Sequence, residues 1–571
     1  MTYQERYQAW LREFAQDRAT MAELRAIAGD EAEIEDRFYT DLSFGTAGMR
    51  GVLGAGSNRM NIYTVRRAAR GLANYINLDP AQHGMGVVIA YDSRRMSPEF
   101  AREAALVFCA QGIKAYLFES LRPVPVLSFA VRELRAAAGV VITASHNPPQ
   151  YNGFKVYWED GAQLPPDRAD SVLACIRSLG YADTLPMDEA EAKAAGLLTM
   201  EGKAIDDAYI AKVRTLSMQP ELMASQGKRL KIVYTPLHGS GNVPVRRILR
   251  EIGIEGVIVV PEQELPDPDF STIQSPNPED PAAFAMAMAL ADREGADCVF
   301  GTDPDCDRVG VAVKDAQGEY RLLSGNQIGC LLLYYILISR RERGTLPANG
   351  AAVKSIVSTE LARTIAADFG VRVFDVLTGF KFIAEKIQEF EETGAFTFLF
   401  GFEESYGYLS STFVRDKDGV NASMLIAEAA AWAKSQGKTL LDILQEIYAR
   451  YGHHADGVVS VSLPGKNGLE RMAGIMCRLR AEPPRMLAGL RVLAVRDYLS
   501  GLRTTAGESE LMGMPAADVL YFELEQGNWA CVRPSGTEPK MKLYVNTCGR
   551  DIADAERLNA ELKAAVKALV E

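Results

Sequence analysis

The segment Asp303-Pro304-Asp305-Cys306-Asp307-Arg308 has the clearest chemical signature in this sequence. Its carboxylates stand at every second position, so in an extended segment their oxygens lie on one side and can converge on one hard cation. Without a cation, three such charges would repel one another strongly. Arg308 and Lys314 stand where an EF-hand loop needs glycine and glutamate, which excludes a standard EF-hand. We therefore expect a divalent metal site here, with Mg²⁺ as the best candidate.

Ser145, in Thr143-Ala144-Ser145-His146-Asn147-Pro148, is a candidate nucleophile. The preceding run Gly139-Val140-Val141-Ile142 predicts a buried strand, and Asn147-Pro148 ends regular structure. The hydroxyl thus stands on a turn at the carboxyl end of a strand, where open α/β sheets bind ligands. In isolation, such a serine more often only caps the helix or turn that follows. A Ser145-His146 hydrolase is an alternative, but adjacent side chains on a turn usually diverge, and a hydrolase leaves the aspartates unexplained.

Three further stretches combine glycine with charged or hydroxyl side chains. The loop from Ser43 to Gly51 carries Arg50, so its backbone N–H groups and a forked cation could hold an anion. Residues 401–407 place adjacent acids and a serine hydroxyl at a strand end, which suits vicinal sugar hydroxyls. Residues 533–540 combine a guanidinium, two hydroxyls and a glycine in an anion cradle of phosphate size. Taken singly, each stretch could also be an ordinary turn or helix cap.

Short apolar segments that end in polar or glycine-containing loops recur along the chain and predict strands. They begin near Gly86, Gly139, Lys231, Cys298, Phe396 and Trp529. Segments of helical period, such as Pro281 to Arg293 and Met424 to Lys434, lie between them, and residues 1–40 predict an amphipathic helical lead-in. The pattern predicts a repeated α/β architecture with its chemistry at the strand ends.

Composition narrows the class of protein. A chain of 571 residues suggests roughly four domains at about 150 residues each. The formal net charge of −12 argues against a nucleic-acid or anionic-membrane binder. We find no apolar run long enough for a bilayer and no pattern of a secretory signal. The 8 cysteines are scattered singly, which fits reduced thiols, and we expect a cytoplasmic protein.

Taken together and in this order, these stretches resemble the α-D-phosphohexomutase superfamily, and in particular its bacterial phosphoglucomutases related to phosphopentomutases. The resemblance covers nearly the whole chain. It implies an α/β fold of three similar domains with mixed sheets plus a smaller C-terminal α+β domain, with the active site in the central cleft. The implied domains are residues 1–204 with the phosphoserine loop, 205–322 with the metal loop, 323–452 with the sugar loop and 453–571 with the phosphate loop.

The resemblance also implies roles for individual residues. Ser145 matches the phosphorylated nucleophile, which would join Asp303, Asp305 and Asp307 around Mg²⁺. Lys417, in Arg415-Asp416-Lys417-Asp418-Gly419, matches the candidate general base. The other implied catalytic residues are His146, Arg308, Arg50 and Lys155. The implied substrate-binding residues are Thr378, Gly379, Glu403, Ser405, Arg533, Ser535, Gly536 and Thr537.

The implied reaction is the reversible interconversion of glucose 1-phosphate and glucose 6-phosphate, with glucose 1,6-bisphosphate as intermediate and activator. Phe402 departs from the bare Gly-Glu-Glu-Ser of the family's glucose enzymes, which leaves phosphopentomutase or phosphomannomutase activity open. A phosphosugar-binding regulator without turnover is a further alternative, against which the complete set of candidate catalytic residues counts. The implied partners are small-molecule sugar phosphates, with no nucleic acid and no membrane, and the protein is expected to be a monomer or weak homodimer.

Overall fold

A computed structural model describes residues 1–45, 48–463, 468–535 and 540–571. The chain divides into two units: Met1–Leu322 with Gly407–Ser435, and Leu323–Tyr406 with Gln436–Glu571. The helical lead-in is confirmed as α1 (Tyr3–Glu13), α2 (Arg18–Ala26) and α3 (Glu31–Phe38). These helices bury their apolar faces around Trp10, Phe14 and Phe38. Within the described residues, no helix is both long and apolar enough to cross a membrane.

The first sheet holds the predicted strands near Gly86 and Gly139. Its strands are β1 (Phe44–Gly45), β2 (Gly48–Val52), β3 (Val87–Tyr91), β4 (Ala115–Phe118), β5 (Ala138–Ile142), β6 (Tyr151–Trp158) and β7 (Leu198–Glu201). They lie in the order β1-β2-β6-β5-β3-β4-β7. Strands β4, β3, β5 and β7 are parallel, whereas β6, β2 and β1 are antiparallel to their neighbours. The accompanying helices are α4 (Ile62–Leu78), α5 (Ser97–Ala110), α6 (Val124–Glu133), α7 (Pro166–Arg177) and α8 (Glu189–Ala194).

The second sheet repeats the centre of the first. Its strands are β8 (Lys231–Thr235), β9 (Gly256–Val259), β10 (Cys298–Thr302), β11 (Val309–Lys314) and β12 (Tyr320–Leu322). The accompanying helices are α9 (Lys203–Arg214), α10 (Pro220–Gln226), α11 (Asn242–Glu251), α12 (Pro261–Glu264) and α13 (Ala285–Glu294). The strand order is β12-β11-β10-β8-β9. Here β9, β8 and β10 are parallel, and β11 and β12 are antiparallel to their neighbours.

The third group of elements follows the same plan. It contains α14 (Gly325–Glu342), β13 (Gly350–Ser355), α15 (Leu361–Asp368), β14 (Arg372–Val376), α16 (Phe380–Thr393) and β15 (Thr397–Glu403). Strand β13 pairs in parallel with both β14 and β15. Next come β16 (Gly407–Leu409) and α17 (Gly419–Ser435), which belong to the first unit, and then α18 (Leu440–Tyr451).

The C-terminal part is rich in antiparallel sheet, as predicted. Its strands are β17 (His453–Ser462), β18 (Met486–Leu487), β19 (Leu490–Asp497), β20 (Leu502–Thr505), β21 (Ser509–Leu511), β22 (Leu520–Leu524), β23 (Trp529–Pro534) and β24 (Lys540–Gly549), with helices α19 (Gly468–Ala481) and α20 (Ile552–Val570). The order is β17-β24-β23-β22-β19-β20-β21, with β18 on β19. Apolar side chains of α19 and α20, such as Ile475 and Leu562, share a core with Val532 and Leu543. The predicted α+β architecture is confirmed.

One position in the α/β plan recurs at each chemical motif. Strands β5, β10 and β15 are each the third parallel strand of their group along the chain, and each pairs with the first. Ser145 follows β5, Asp303 directly follows β10, and Glu403 ends β15. The connections from β5 to β6 and from β10 to β11 reverse the chain direction, so their loops stand at the carboxyl ends of parallel strands, where ligands bind in such sheets.

Helix α17 begins beside a buried carboxylate, Asp418. Its Oδ1 accepts hydrogen bonds from the Tyr209 hydroxyl at 2.7 Å and the Asn421 N–H at 2.8 Å. Its Oδ2 is buried and has no hydrogen-bond partner among the described residues. Burial raises the pKa of Asp418 to about 6, although these hydrogen bonds oppose the shift.

Replacing Asp418 with asparagine tests this burial through the pH dependence of stability. Because the folded-state pKa of about 6 exceeds the ordinary value of about 4, the carboxyl's contribution to stability falls as pH rises between these values. The unfolding free energy of Asp418→Asn relative to wild type should therefore increase by ~2–3 kcal/mol between pH 4 and pH 7. Denaturant titrations at both pH values measure it. The exposed control Asp170→Asn should show no such trend, and a flat difference for Asp418→Asn would contradict the shift.

Candidate active site

The loop between β10 and β11 brings the three predicted carboxylates together. Asp303, Asp305 and Asp307 are buried, and one oxygen from each lies within 4.8 Å of the others. Two oxygens of these carboxylates, Asp305 Oδ1 and Asp307 Oδ1, are buried without a hydrogen-bond partner among the described residues. Buried carboxylate oxygens without donors are unfavourable, whereas a hard divalent cation takes oxygen ligands of this kind. The group therefore fits a cation such as Mg²⁺.

The preceding loop, after β8, shapes this segment. Ser240 donates from both its N–H and its hydroxyl to the Pro304 carbonyl, at 2.8 and 2.7 Å. A Cβ on Gly239 would lie 2.5 Å from Pro304 Cα, so only glycine allows the two loops to approach this closely. Cys306 has a left-handed backbone with φ of 48°, which turns the chain between the second and third aspartates.

Three cations surround the carboxylates. The closest contacts are Lys155 Nζ to Asp305 Oδ2 at 2.7 Å, Lys417 Nζ to Asp307 Oδ2 at 3.1 Å, and Arg308 Nε to Asp307 Oδ1 at 3.7 Å. Burial and the neighbouring carboxylates raise the pKa of Asp303. Burial also acts on Asp305, but Lys155, a hydrogen bond with Asp303 and Lys417 together outweigh it and hold the pKa of that carboxyl below its usual range. The site thus balances buried negative charge with buried positive charge.

Ser145 lies directly against the carboxylates. Its Oγ donates to Asp303 Oδ2 at 3.0 Å, and the residue is buried. Its backbone is left-handed, with φ of 52°, and its N–H donates to Thr143 Oγ1 at 2.8 Å. The candidate nucleophile and the candidate metal ligands therefore share one site.

His146 corrects one expectation. Its Nδ1 lies 3.2 Å from Ser145 Oγ, so the two adjacent side chains converge, and the expectation that they diverge is wrong. The left-handed backbone at Ser145 accounts for this, because it turns the serine side chain away from the direction an extended residue would take. A hydrolase still fits poorly, because buried carboxylates beside Ser145 oppose the formation of an alkoxide there.

Lys417 approaches the site from the segment before α17. Its Nζ also pairs with Asp416 Oδ1 at 2.9 Å, and Asp416 Oδ2 accepts from the Tyr157 hydroxyl at 2.8 Å. A Cβ on Gly407 would lie 2.2 Å from Lys417 Cδ, so Gly407 leaves the space that the lysine stem occupies. Gly419 donates its N–H to the Cys306 carbonyl at 3.1 Å, which ties this segment to the metal loop.

The remaining candidates of the first unit border the same site. Arg50 is exposed on β2 and donates to Asn147 Oδ1 in the serine loop at 3.0 Å. Arg308 Nη1 pairs with Glu279 at 2.6 Å. The structure thus brings together the predicted residues Ser145, His146, Lys155, Asp303, Asp305, Asp307, Arg308 and Lys417, with Arg50 at the edge.

In the second unit, two predicted sugar-binding segments are hydrogen-bonded to each other. The Gly379 N–H donates to Glu403 Oε1 at 2.7 Å, and Gly379 has φ of 126°, which favours glycine. Thr378 Oγ1 is buried and has no hydrogen-bond partner among the described residues. Ser405 is half-buried in the turn after β15. The segments before α16 and after β15 therefore form one continuous group of polar atoms.

The predicted phosphate cradle is described only in part. Arg533 and Ser535 are half-buried at the end of β23, and the Ser535 N–H donates to the Lys540 carbonyl at 2.8 Å. Gly536 and Thr537 lie outside the described residues.

Two further residues, Glu404 and Arg94, make polar contacts near the predicted site residues but were not predicted from the sequence. Glu404 Oε2 accepts from the Ser355 hydroxyl at 3.0 Å, and burial beside Glu403 raises the pKa of Glu404 to about 7. Arg94 is buried and donates to carbonyls of the serine loop. The sequence does show polar residues, including Arg94, directly after predicted strand β3. No sequence pattern shows, however, that the Arg94 side chain contacts the serine loop.

Comparison with known proteins identifies the family. Models for phosphoglucomutase/phosphomannomutase alpha/beta/alpha domains I, II and III match residues 41–182, 207–318 and 324–451. A phosphoglucomutase of Staphylococcus aureus strain MSSA476 is 38% identical over 550 residues, covering 95% of this chain and 97% of the relative. That of strain MRSA252 is 39% identical over 536 residues, covering 93% and 94%. The chain belongs to the phosphoglucomutase/phosphomannomutase family.

Solved structures of the phosphoglucomutase/phosphomannomutase fold agree. A family protein from Burkholderia thailandensis matches with a TM-score of 0.66 and 20% identity, covering 92% of this chain and 97% of that one. Parafusin, a phosphoglucomutase from Paramecium, matches with a TM-score of 0.69 and 17% identity, covering 93% and 95%. At these identities the likeness shows the fold alone. The curated relatives support phosphoglucomutase function for this family member and an isomerase-class phosphotransferase, as the resemblance implied.

Gly407→Ala tests the space reserved for Lys417. The added methyl group would overlap the lysine stem, which must then move. We expect a loss of kcat on the order of a hundredfold, because a displacement of about 1 Å suffices for this, with little loss of stability. Mutase assays and thermal denaturation measure the two quantities. Gly474→Ala, on α19 with no atom within 4 Å of the added Cβ, is the matched control. Unchanged kcat in Gly407→Ala would show that the lysine position does not matter.

Asp305→Asn tests the metal site directly. The substitution keeps the side chain's shape but replaces an ionised ligand with a neutral amide, so Mg²⁺ affinity should fall by at least about tenfold. Isothermal titration with Mg²⁺ measures this without any substrate. The control Asp292→Asn lies on α13 beside Lys314 and should bind Mg²⁺ like wild type. Equal affinity in both variants would mean that the metal is held elsewhere.

Proposed function

We propose that the protein is a Mg²⁺-dependent phosphoglucomutase that interconverts glucose 1-phosphate and glucose 6-phosphate through phosphorylated Ser145. The observation that carries the proposal is the 3.0 Å hydrogen bond from Ser145 Oγ to Asp303, within the buried aspartate group. The 38% identity to phosphoglucomutases over 95% of the chain supports glucose as the sugar. Phosphoryl transfer depends mainly on positioning and charge neutralisation, and this site has the residues for both.

The proposed charge balance uses residues on three loops. Asp303, Asp305 and Asp307 would hold Mg²⁺, together with an oxygen of the Ser145 phosphate. When bound, the cation would neutralise negative charge on the transferring phosphoryl group. Lys155 lies 2.7 Å from Asp305 and supplies a further positive charge at the same loop. Arg308, Arg50 and His146 border the site and are proposed to contact the phosphate.

The proposed proton acceptor is Lys417. A sugar hydroxyl attacks phosphorus as the bond from phosphorus to Ser145 Oγ breaks. Lys417, after giving up its own proton to solvent, takes the hydroxyl proton, and the released Ser145 Oγ takes up a proton to regenerate the hydroxyl. Lys417 Nζ lies 3.1 Å from Asp307 Oδ2, next to the proposed metal site. A cation bound to Asp307 would weaken the attraction that keeps this lysine protonated, which supports the assignment. The product is glucose 1,6-bisphosphate, which then returns its other phosphate to Ser145 as the same steps run in reverse. The bisphosphate also primes an unphosphorylated enzyme.

Substrate recognition is proposed for the second unit. Thr378, Gly379, Glu403 and Ser405 would bind the sugar hydroxyls, and Arg533, Ser535, Gly536 and Thr537 would bind the phosphate that is not reacting. The hydrogen bond between Gly379 and Glu403 supports the first set, because it presents both segments as one polar group. One set of contacts must accept the bisphosphate in either orientation.

The position of Phe402 is compatible with glucose as the substrate. Its side chain is buried, and a Cβ on Gly329 of α14 would lie 2.4 Å from its ring. The residue therefore fills the space between α14 and β15, and its departure from the family's glucose enzymes does not alter the polar face that Glu403 presents. Phosphomannomutase and phosphopentomutase activities remain as side activities to measure.

We further propose a cytoplasmic monomer or weak homodimer with sugar phosphates as its partners, and domains of residues 1–204, 205–322, 323–452 and 453–571.

A coupled assay of glucose 1-phosphate conversion tests the proposal. We expect turnover that requires Mg²⁺ and glucose 1,6-bisphosphate and is abolished in Ser145→Ala, because the acceptor of the phosphate is lost. The exposed control Ser171→Ala should retain turnover. Glucose 1-phosphate should exceed ribose 1-phosphate in kcat/KM by about tenfold or more, since an unpaired buried hydroxyl partner costs ~1–3 kcal/mol. Full activity in Ser145→Ala would refute the mechanism, and sugar-phosphate binding without turnover in wild type would identify a regulator instead.

A further inference from the structure

A buried arginine lies beneath the loop that carries Ser145. Arg94 follows β3, the strand adjacent to β5, and its side chain is fully enclosed. Its Nη1 donates to the Pro148 carbonyl at 2.9 Å and the Tyr151 carbonyl at 3.1 Å. Its Nη2 donates to the Ser145 carbonyl at 2.5 Å and also to the Asn147 carbonyl. One guanidinium therefore binds four carbonyls of a seven-residue loop.

This arrangement constrains the loop rather than merely filling space. A buried cation is unfavourable unless its donors are satisfied, and the rigid planar fork of arginine fixes the directions in which its acceptors must lie. Carbonyls drawn toward Arg94 leave the Ser145 hydroxyl on the side of Asp303. The guanidinium also lies 5.0 Å from the centre of the Phe270 ring, which covers it from the second domain.

Asp92 extends the contact to the other side of Ser145. Its carboxylate accepts from the Arg94 N–H, the Ser97 hydroxyl and the Thr143 hydroxyl, at 2.9, 2.8 and 2.6 Å. Thr143 Oγ1 in turn accepts the Ser145 N–H at 2.8 Å. Ser145 is therefore held through both its carbonyl and its N–H.

The backbone of Ser145 explains why such support is needed. A φ of 52° is left-handed, and for a residue other than glycine this conformation persists only when the surroundings determine it. We propose that Arg94, with Asp92 and Thr143, is the positioning residue that holds Ser145 in this conformation and thereby sets the rate of phosphoryl transfer to and from its hydroxyl. This inference rests on the proposed function and adds three residues, none of which has to touch the substrate.

The neighbouring arginine provides a matched control. Arg95 is exposed and pairs with Asp269, so Arg95→Lys changes the same residue type one position away. Arg94→Lys keeps the charge but loses the planar fork. We expect Arg94→Lys to lower kcat about a hundredfold through misplacement of the nucleophile, with KM changed by less than about threefold. Arg95→Lys should leave both unchanged.

A second readout does not depend on turnover. Hydrogen exchange of the peptide spanning residues 143–151, measured by mass spectrometry, should accelerate in Arg94→Lys and stay at the wild-type rate in Arg95→Lys. If Arg94→Lys fails to fold, Thr143→Val replaces it, since valine has the same shape and removes only the hydroxyl between Ser145 and Asp92. Thr143→Ser should then recover most of the lost kcat.

The outcomes separate this inference from the proposed function. Each protein is incubated with glucose 1,6-bisphosphate and Mg²⁺, and Ser145 phosphorylation is followed by intact mass. If wild type is not phosphorylated at Ser145, the proposed function fails. If wild type is phosphorylated and the folded Arg94→Lys or Thr143→Val variant reacts at the same rate, the positioning role is wrong. Slow phosphorylation with faster loop exchange in the folded variant, and wild-type rates of both in Arg95→Lys, is the expected result.

Discussion

The mutual repulsion of three buried carboxylates is the constraint around which the first unit is built. With oxygens within 4.8 Å of one another, each pair of full charges would repel by about 3 kcal/mol at an effective dielectric constant of about 20. Lys155, Lys417 and Arg308 offset part of this repulsion, and a divalent cation would offset more. The segments that deliver these cations therefore contribute to the stability of the metal loop as well as to its chemistry.

Close approach between loops is the second requirement, and glycine supplies it at two places. Gly239 lets the loop after β8 lie against Pro304, and Gly407 leaves room for the stem of Lys417. Both positions serve the site through the absence of a side chain. The repeated topology also positions the site, because the third parallel strand of each α/β group ends at a chemical motif. A single architectural plan thus positions the candidate nucleophile, the candidate metal loop and the proposed sugar loop at equivalent places.

Much of this could be predicted from the sequence. The strands before Ser145 and Asp303 were visible as apolar, β-branched runs, and alternate aspartates predicted their own convergence, because both signals are local. Family resemblance supplied the roles of residues far apart in sequence, such as Lys417. The sequence could not show that Ser145 has a left-handed backbone, so the contact with His146 was missed. Nor could it show that Arg94 reaches a loop about fifty residues away, because strand order, not local pattern, brings β3 beside β5.

Anomalous diffraction from crystals grown with Mn²⁺ tests directly whether the aspartate group holds the metal. Mn²⁺ accepts the same oxygen ligands as Mg²⁺ and scatters anomalously. If the three aspartates hold the metal, an anomalous peak will lie within bonding distance of carboxylate oxygens from Asp303, Asp305 and Asp307, on the side where Ser145 Oγ lies. An active enzyme whose Mn²⁺ peak lies away from these three residues would contradict it.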